Sequence, residues 1–220
     1  GGSGLSHVRV KICGITSLKD LNMVVEAGAD AVGFVIGVPQ SPRNLSFDEA
    51  ERLIKATPVF VETVAVTVHT SLKNLKKIYE KLNPDVIQVH DLRFNEKIRD
   101  ALVNTRLIGA VQAESESAIS AAVDLSKTFD AVLADSHVHG MFGGTGKTHN
   151  WSLSRRIRDV IQPKPLILAG GLTPENVEES IRVVKPYAVD VSSGVEFHPG
   201  AKDRCRVLEF IERAKEVEVN

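Results

Sequence analysis

A (β/α)8 barrel of the phosphate-binding type is the architecture this sequence predicts, and three observations predict it. Eight short runs rich in β-branched residues alternate with longer amphipathic stretches from Val8 almost to the C-terminus. The runs are mostly continuously apolar rather than alternating, the pattern of parallel strands covered on both faces. Glycine-rich loops follow the sixth, seventh and eighth runs, where barrels commonly hold phosphate. An open doubly wound sheet would carry its glycine fingerprint after the first strand. That strand runs instead into Cys13-Gly14-Ile15-Thr16.

In chain order the expected strands are Val8–Ile12, Ala31–Val35, Val59–Val66, Val86–Val89, Leu107–Val111, Ala131–Leu133, Leu166–Leu168 and Ala188–Val191. Between them, Leu18, Leu21 and Val25 recur at helical spacing, as do Leu72, Leu75, Ile78, Tyr79 and Leu82. Ser17-Leu18-Lys19-Asp20 and Ser46-Phe47-Asp48-Glu49 read as N-terminal caps, a side-chain oxygen followed by an acid. Thr173-Pro174-Glu175 places proline at a first helical position. Cys205 falls in the expected last helix, Asp203–Lys215, where a structural role is expected. A weak internal echo precedes three strands: Gly28-Ala29-Asp30-Ala31-Val32, Asn83-Pro84-Asp85-Val86-Ile87 and Thr128-Phe129-Asp130-Ala131-Val132. Each reads as a tight turn from helix to strand, so the repeating unit is one helix and one strand.

The composition fits one soluble globular domain. A chain of 220 residues supports one sizeable core and is short for two domains. Residues 1–7, opening with Gly1-Gly2-Ser3-Gly4, read as a linker or cleavage scar, and residues 8–220 as the single barrel domain. Lys and Arg total 27 against 28 Asp and Glu, so no global charge draws the chain to nucleic acid or a membrane surface. No apolar run approaches the roughly 18 residues of a membrane span. Two distant cysteines, Cys13 and Cys205, suit a reducing compartment, which predicts a cytoplasmic protein. Monomer and homodimer are both compatible with the sequence.

Barrel chemistry belongs at the C-terminal ends of the strands. Cys13 stands there after the first strand, Arg43 in the long loop after the second, and His69 after the third. Gln88 and His90 close the fourth strand, Gln112 the fifth and Asp135 the sixth. Gly143-Gly144-Thr145-Gly146-Lys147-Thr148, Gly170-Gly171 and Ser193-Gly194 follow the last three strands. The first of these loops approaches the nucleotide-triphosphate pattern, but the position requiring the leading glycine is Met141. What remains is a set of bare backbone N–H groups that admits an anion, and three adjacent loops of this kind suit a monophosphate.

A thiolate at Cys13 can serve as base or nucleophile, and Asp135 from across the mouth can supply a proton. Arg43 can clamp a carboxylate. The histidines His137, His139, His149, His69 and His90 can in principle gather a transition metal, but their spacing is not decisive. No acidic residue completes a recognised ligand pattern, so a metal ranks well below acid–base chemistry and none is expected.

These residues in order resemble the phosphoribosylanthranilate isomerases of tryptophan biosynthesis, over nearly the whole chain from Val8. The markers are Lys11-Ile12-Cys13-Gly14-Ile15-Thr16, Gly28-Ala29-Asp30-Ala31-Val32-Gly33-Phe34-Val35, Ser41-Pro42-Arg43 and Ile87-Gln88-Val89-His90. Asp135 with the 143–148 loop, Ala169-Gly170-Gly171-Leu172 and Asp190-Val191-Ser192-Ser193-Gly194-Val195-Glu196 complete the set. The resemblance implies a cofactor-independent barrel that performs an Amadori rearrangement of N-(5-phosphoribosyl)anthranilate. It implies Asp135 as general acid at the furanose oxygen and Cys13 as general base at the second ribose carbon. It further implies Arg43 at the anthranilate end, substrate contacts from Gln88 and His90, and phosphate in the glycine loops: Gly143, Gly144, Thr145, Gly170, Gly171, Ser193 and Gly194.

The chain departs from the family pattern at His149-Asn150 before Trp151, at Asp91, at His69 and in a slightly longer Gly37–Gln40 segment. Lys11 lies on the same strand face as Cys13 and is expected to stabilise its thiolate. A histidine-pathway isomerase would carry aspartates at the first and fifth strand ends, where this chain has Cys13 and Gln112. A phosphosugar-binding barrel without catalysis would not need the acid and the base.

Overall fold

The computed structural model describes residues 6–68, 70–90, 95–137 and 149–219. Eight parallel strands close into a barrel: β1 Arg9–Ile12, β2 Ala31–Ile36, β3 Glu62–Val68, β4 Val86–His90, β5 Arg106–Gln112, β6 Ala131–Asp135, β7 Leu166–Ala169 and β8 Ala188–Val191. Each pairs with its neighbours in sequence, and β8 returns to β1 through Ala188–Arg9 and Val191–Ile12. The helices between them are α1 Leu18–Glu26, α2 Phe47–Ala56, α3 Leu72–Leu82, α4 Asn95–Ala101, α5 Ser117–Thr128, α6 Trp151–Val160, α7 Val177–Val184 and α8 Arg204–Glu216. Among the described residues, no helix is long and apolar enough to cross a membrane.

The two-residue period of the strands sorts their side chains into two cores. Val10, Ile12, Val32, Phe34, Ile87, Leu107, Val132 and Leu168 face the helices and are almost wholly buried. Val64, Val66, Val86, Ile108, Ala131, Leu133, Ile167, Ala169 and Ala188 fill the barrel together with Cys13. The inward register therefore carries Lys11 on β1, Cys13 just after it, Gln88 and His90 on β4, Asp135 on β6 and Asp190 on β8 into the lumen, with Cys13, His90 and Asp135 at its C-terminal end.

Local signals account for most helix starts. Ser17 Oγ accepts from Asp20 N, and Ser46 with Glu49 forms a reciprocal capping box. Asn150 caps α6 and Asp203 caps α8.

Several expectations are corrected. Ser6 and His7, assigned to the leading linker, pair antiparallel with Glu218–Val219, and Ser6 Oγ donates to Val219 O at 2.9 Å. The third strand begins at Glu62 rather than Val59, because Phe60 adopts φ 71°, a left-handed conformation that no strand continues through. Val59 and Phe60 are accordingly 81% and 100% exposed. Helix α1 buries Asp20, Leu21 and Val24 and leaves Leu18 exposed, because Asp20 is drawn inward to accept from Lys202 N. Pro174 opens a turn that precedes α7, held by Asn176 Oδ1 accepting from Thr173 N at 2.8 Å. Cys205 is exposed on α8, so it serves no core packing.

Candidate active site

Cys13 follows β1 directly, its N–H donating to Val191 O at 2.9 Å. Gly33 on the neighbouring strand makes room for it, since a Cβ there would stand 2.6 Å from Cys13 Sγ. Burial pushes the Cys13 thiol above its ordinary range, an effect that the Lys11 cation opposes and the Asp190 carboxylate reinforces. Lys11 Nζ lies 3.0 Å from Asp190 Oδ1 in the barrel interior, and both side chains are nearly sealed from solvent. Burial alone would lower the lysine, but Asp190 and Cys13 outweigh it and hold Lys11 above the usual ammonium range. The ammonium thus stays charged beneath the thiol, as the shared strand face required.

Arg43 reaches the same corner from the loop after β2. Its stem lies across Gly14, where a Cβ would overlap the arginine Cδ and stand 2.9 Å from Ser192 Oγ. Its guanidinium is already engaged: Nε donates to Glu196 Oε2 at 2.9 Å and Nη2 donates to Glu196 Oε1. Lys202 Nζ donates to the same carboxylate at 3.0 Å.

On β4 the Gln88 amide nitrogen and His90 Nε2 are 2.8 Å apart, and Gln88 is almost fully buried. Burial, then the Lys11 cation, lower His90, so its imidazole is neutral at physiological pH. His90 also senses Asp190 and Asp135, so it bridges the two sides of the mouth electrostatically.

Asp135 ends β6, and its Oδ1 accepts from His137 N at 3.0 Å. Gly170, at φ 95°, passes so close that a Cβ would overlap that same Oδ1. Gly194 packs on Leu172 in the same way, which sets the loop after β8 back to back with the loop after β7. Ser193 opens the short 3-10 turn that carries Gly194. Gln112 Nε2 donates to His137 O at 2.9 Å. His149 stacks on Trp151 with ring centroids 5.1 Å apart, and His137 meets it edge-on. Burial, then His137, lower His149.

Cys13, Arg43, Gln88, His90, Asp135, Gly170, Gly171, Ser193 and Gly194 therefore gather at one end of the barrel. Gly143, Gly144, Thr145, the rest of their loop, His69, Asp91 and His139 lie outside the described residues. Among the described residues, no three His, Cys, Asp or Glu side chains converge as a metal-ligand set. Sequence reasoning missed the pairing of Asp190 with Lys11 and the roles of Glu196 and Lys202. Glu196 closes a marker string, while Lys202 carries no local signal.

The family model for N-(5'phosphoribosyl)anthranilate (PRA) isomerase matches residues 10–213. The chain belongs to this family. It is 44% identical over 209 residues to the N-(5'-phosphoribosyl)anthranilate isomerase of Methanothrix thermoacetophila, covering 94% of this chain and 98% of that protein. The crystal structure of phosphoribosyl anthranilate isomerase from Thermotoga maritima superposes with a TM-score of 0.85 at 40% identity, covering 96% and 100% of the two chains. A phosphoribosyl anthranilate isomerase in complex with reduced 1-(o-carboxyphenylamino)-1-deoxyribulose 5-phosphate superposes with a TM-score of 0.83 at 38% identity, again covering 96% and 100%.

Proposed function

We propose that Cys13 and Asp135 carry the isomerisation of N-(5'-phosphoribosyl)anthranilate, the tryptophan-biosynthetic reaction of the family, as general base and general acid. The observation that carries this reading is the pair's placement: an acid and a thiol on separate strands at one barrel mouth, with the Lys11 ammonium beside the thiol.

Asp135 donates its proton to the furanose ring oxygen, the C1–O bond breaks, and the nitrogen lone pair forms a Schiff base. The Cys13 thiolate removes the proton from C2, and those electrons neutralise the iminium as an enolamine. Tautomerisation gives the C2 ketone and a C1 methylene, the 1-(2-carboxyphenylamino)-1-deoxyribulose 5-phosphate. C1 is reduced as C2 is oxidised, so the reaction balances within the substrate and calls for no redox cofactor. A raised thiol pKa makes the thiolate scarce but a stronger base, and the Lys11 charge limits the cost of forming it.

Arg43 takes the anthranilate carboxylate, Gln88 and His90 contact the substrate between the two titrating groups, and the loops at Gly170-Gly171 and Ser193-Gly194 take the phosphate. A free thiol as catalytic base fits a reducing, cytoplasmic setting.

Loss of anthranilate fluorescence on freshly generated substrate tests the assignment. The parent turns over, and Cys13→Ala and Asp135→Asn each fall by roughly 10²–10⁴-fold while remaining folded. A folded variant with parental turnover removes that residue from its role.

A further inference from the structure

Resting on that reading of the site, we propose that Glu196 is a positioning residue that aims Arg43 at the anthranilate carboxylate, with the buried Lys202 holding Glu196 in place. The three side chains form an ion triad graded from inside to outside. Lys202 is 0% exposed, Glu196 3% and Arg43 19%, so the arginine is the member that reaches the mouth. Glu196 approaches the guanidinium side-on, through Nε and Nη2. That leaves the Nη1–Nη2 end of the fork, and no described residue bonds Nη1. An end-on edge held in this way matches a second carboxylate bidentately.

The carboxylate is fixed by more than the arginine. Glu196 Oε2 also accepts from Lys202 Nζ at 3.0 Å and from Gly200 N at 3.3 Å. Lys202 Nζ in turn donates to Ser192 O at 3.2 Å, and Lys202 N donates to Asp20 Oδ2 at 2.9 Å. Thr16 Oγ1 donates to Gly200 O at 2.6 Å, tying the hairpin of Glu196–His198 and Ala201–Lys202 to the segment just after Cys13. An arginine on a long loop would otherwise spend its rotamer freedom each time substrate binds; here that freedom is lost on folding.

The charges agree. Two basic side chains share one carboxylate in a poorly solvated corner, where burial and the Arg43 charge lower Lys202 and Glu196 opposes them, so the guanidinium is the cation left facing the mouth. An incoming aromatic carboxylate neutralises it. Burial alone would raise Glu196, but the Arg43 bonds and Lys202 outweigh it and keep the carboxylate ionised at neutral pH.

The test compares inhibition by two product analogues, reduced 1-(o-carboxyphenylamino)-1-deoxyribulose 5-phosphate and the same compound without the carboxyl group. The parent prefers the carboxylated compound. In Glu196→Gln that preference shrinks by about tenfold, while affinity for the compound lacking the carboxyl group is unchanged. Arg43→Ala removes the preference, and adding Glu196→Gln to it produces no further loss. Glu196→Asp, which keeps the charge, loses less of the preference than Glu196→Gln and serves if the latter does not fold.

Equal weakening toward both compounds, or a Glu196→Gln chain with the parental preference, overturns the positioning role. A parent that turns the substrate over yet shows no preference for the carboxylated compound overturns the assignment of Arg43, and the inference with it.

Discussion

Asp30, Asp85 and Asp130 stand at the N-terminal ends of β2, β4 and β6, whereas Asp135 ends the strand that Asp130 precedes. At the first end each carboxylate clamps the start of an earlier strand. Asp30 accepts from Val10 N, Asp85 from Thr63 N and Asp130 from Leu107 N, all at 2.8 Å. Two of them also bind a cation, Lys215 for Asp30 and Arg99 for Asp130. At the other end Asp135 bonds the backbone N–H of His137 and faces the mouth across Gly170.

The same contrast runs through the barrel interior. Its N-terminal end holds a cavity of about 370 Å³, whose apolar wall of Val64, Val86, Ile108, Ala131, Ile167 and Ala188 is rimmed by charged residues such as Arg9, Glu62 and Arg106, with Lys11 also lining it. The C-terminal end gathers Cys13, Gln88, His90 and Asp135. One residue type does two jobs because the helix-to-strand turn aims it at the N–H that starts a neighbouring strand, while at the other end it accepts from an N–H two residues on and faces the lumen.

Three substitutions probe this contrast, in descending order of effect. Gly170→Ala should reduce kcat by roughly 100-fold, since a methyl at this positive φ would overlap Asp135 Oδ1 and crowd the backbone nitrogens of Ser136 and His137, displacing the carboxylate and the turn that holds it by about an ångström. Parental kcat in that variant would show that Asp135 need not sit where it does.

Lys11→Met should push the Cys13 thiol further up, because the cation that opposes burial is gone, so that iodoacetamide alkylation at a fixed neutral pH slows. In the parent, the alkylation rate should climb through neutral pH without levelling off below the ordinary thiol range, because the folded thiol is raised. A Lys11→Met chain with the parental pH profile would detach the lysine from the thiol.

Asp130→Asn should cost about 1 kcal/mol in urea unfolding and leave turnover per folded molecule unchanged. Although burial alone would raise Asp130, the Leu107 N–H and Arg99 hold it below the ordinary carboxylate range. Its stabilisation is therefore present above the unfolded pKa of about 4 and lost as pH falls through the lower folded value. The difference between parent and variant should vanish in acid, and a turnover defect would erase the distinction between the two ends.

The strand echo, the serine caps and the positions of Cys13 and Asp135 were all legible by eye in the sequence. Each depends on a local rule: strand alternation, a cap three residues from its N–H, or a turn feeding the next strand. The resemblance then supplied the roles. Local rules also failed in identifiable places. Leu18 has helical spacing yet faces solvent, and Val59-Phe60 is apolar yet ends outside the strand.

Which distant side chains meet depends on closure of the barrel. Lys11 finds Asp190 across 179 positions and Arg43 finds Glu196 across 153. Closing the barrel sets β8 beside β1 and brings the hairpin after β8 over the loop after β2. The alternation and the identity of the residues at the strand ends are legible in the chain alone, because those depend on neighbours within a few residues. The ion pairs that tune Cys13 and aim Arg43 depend on charges that become neighbours only when the sheet closes on itself, and burial there makes their pairing obligatory.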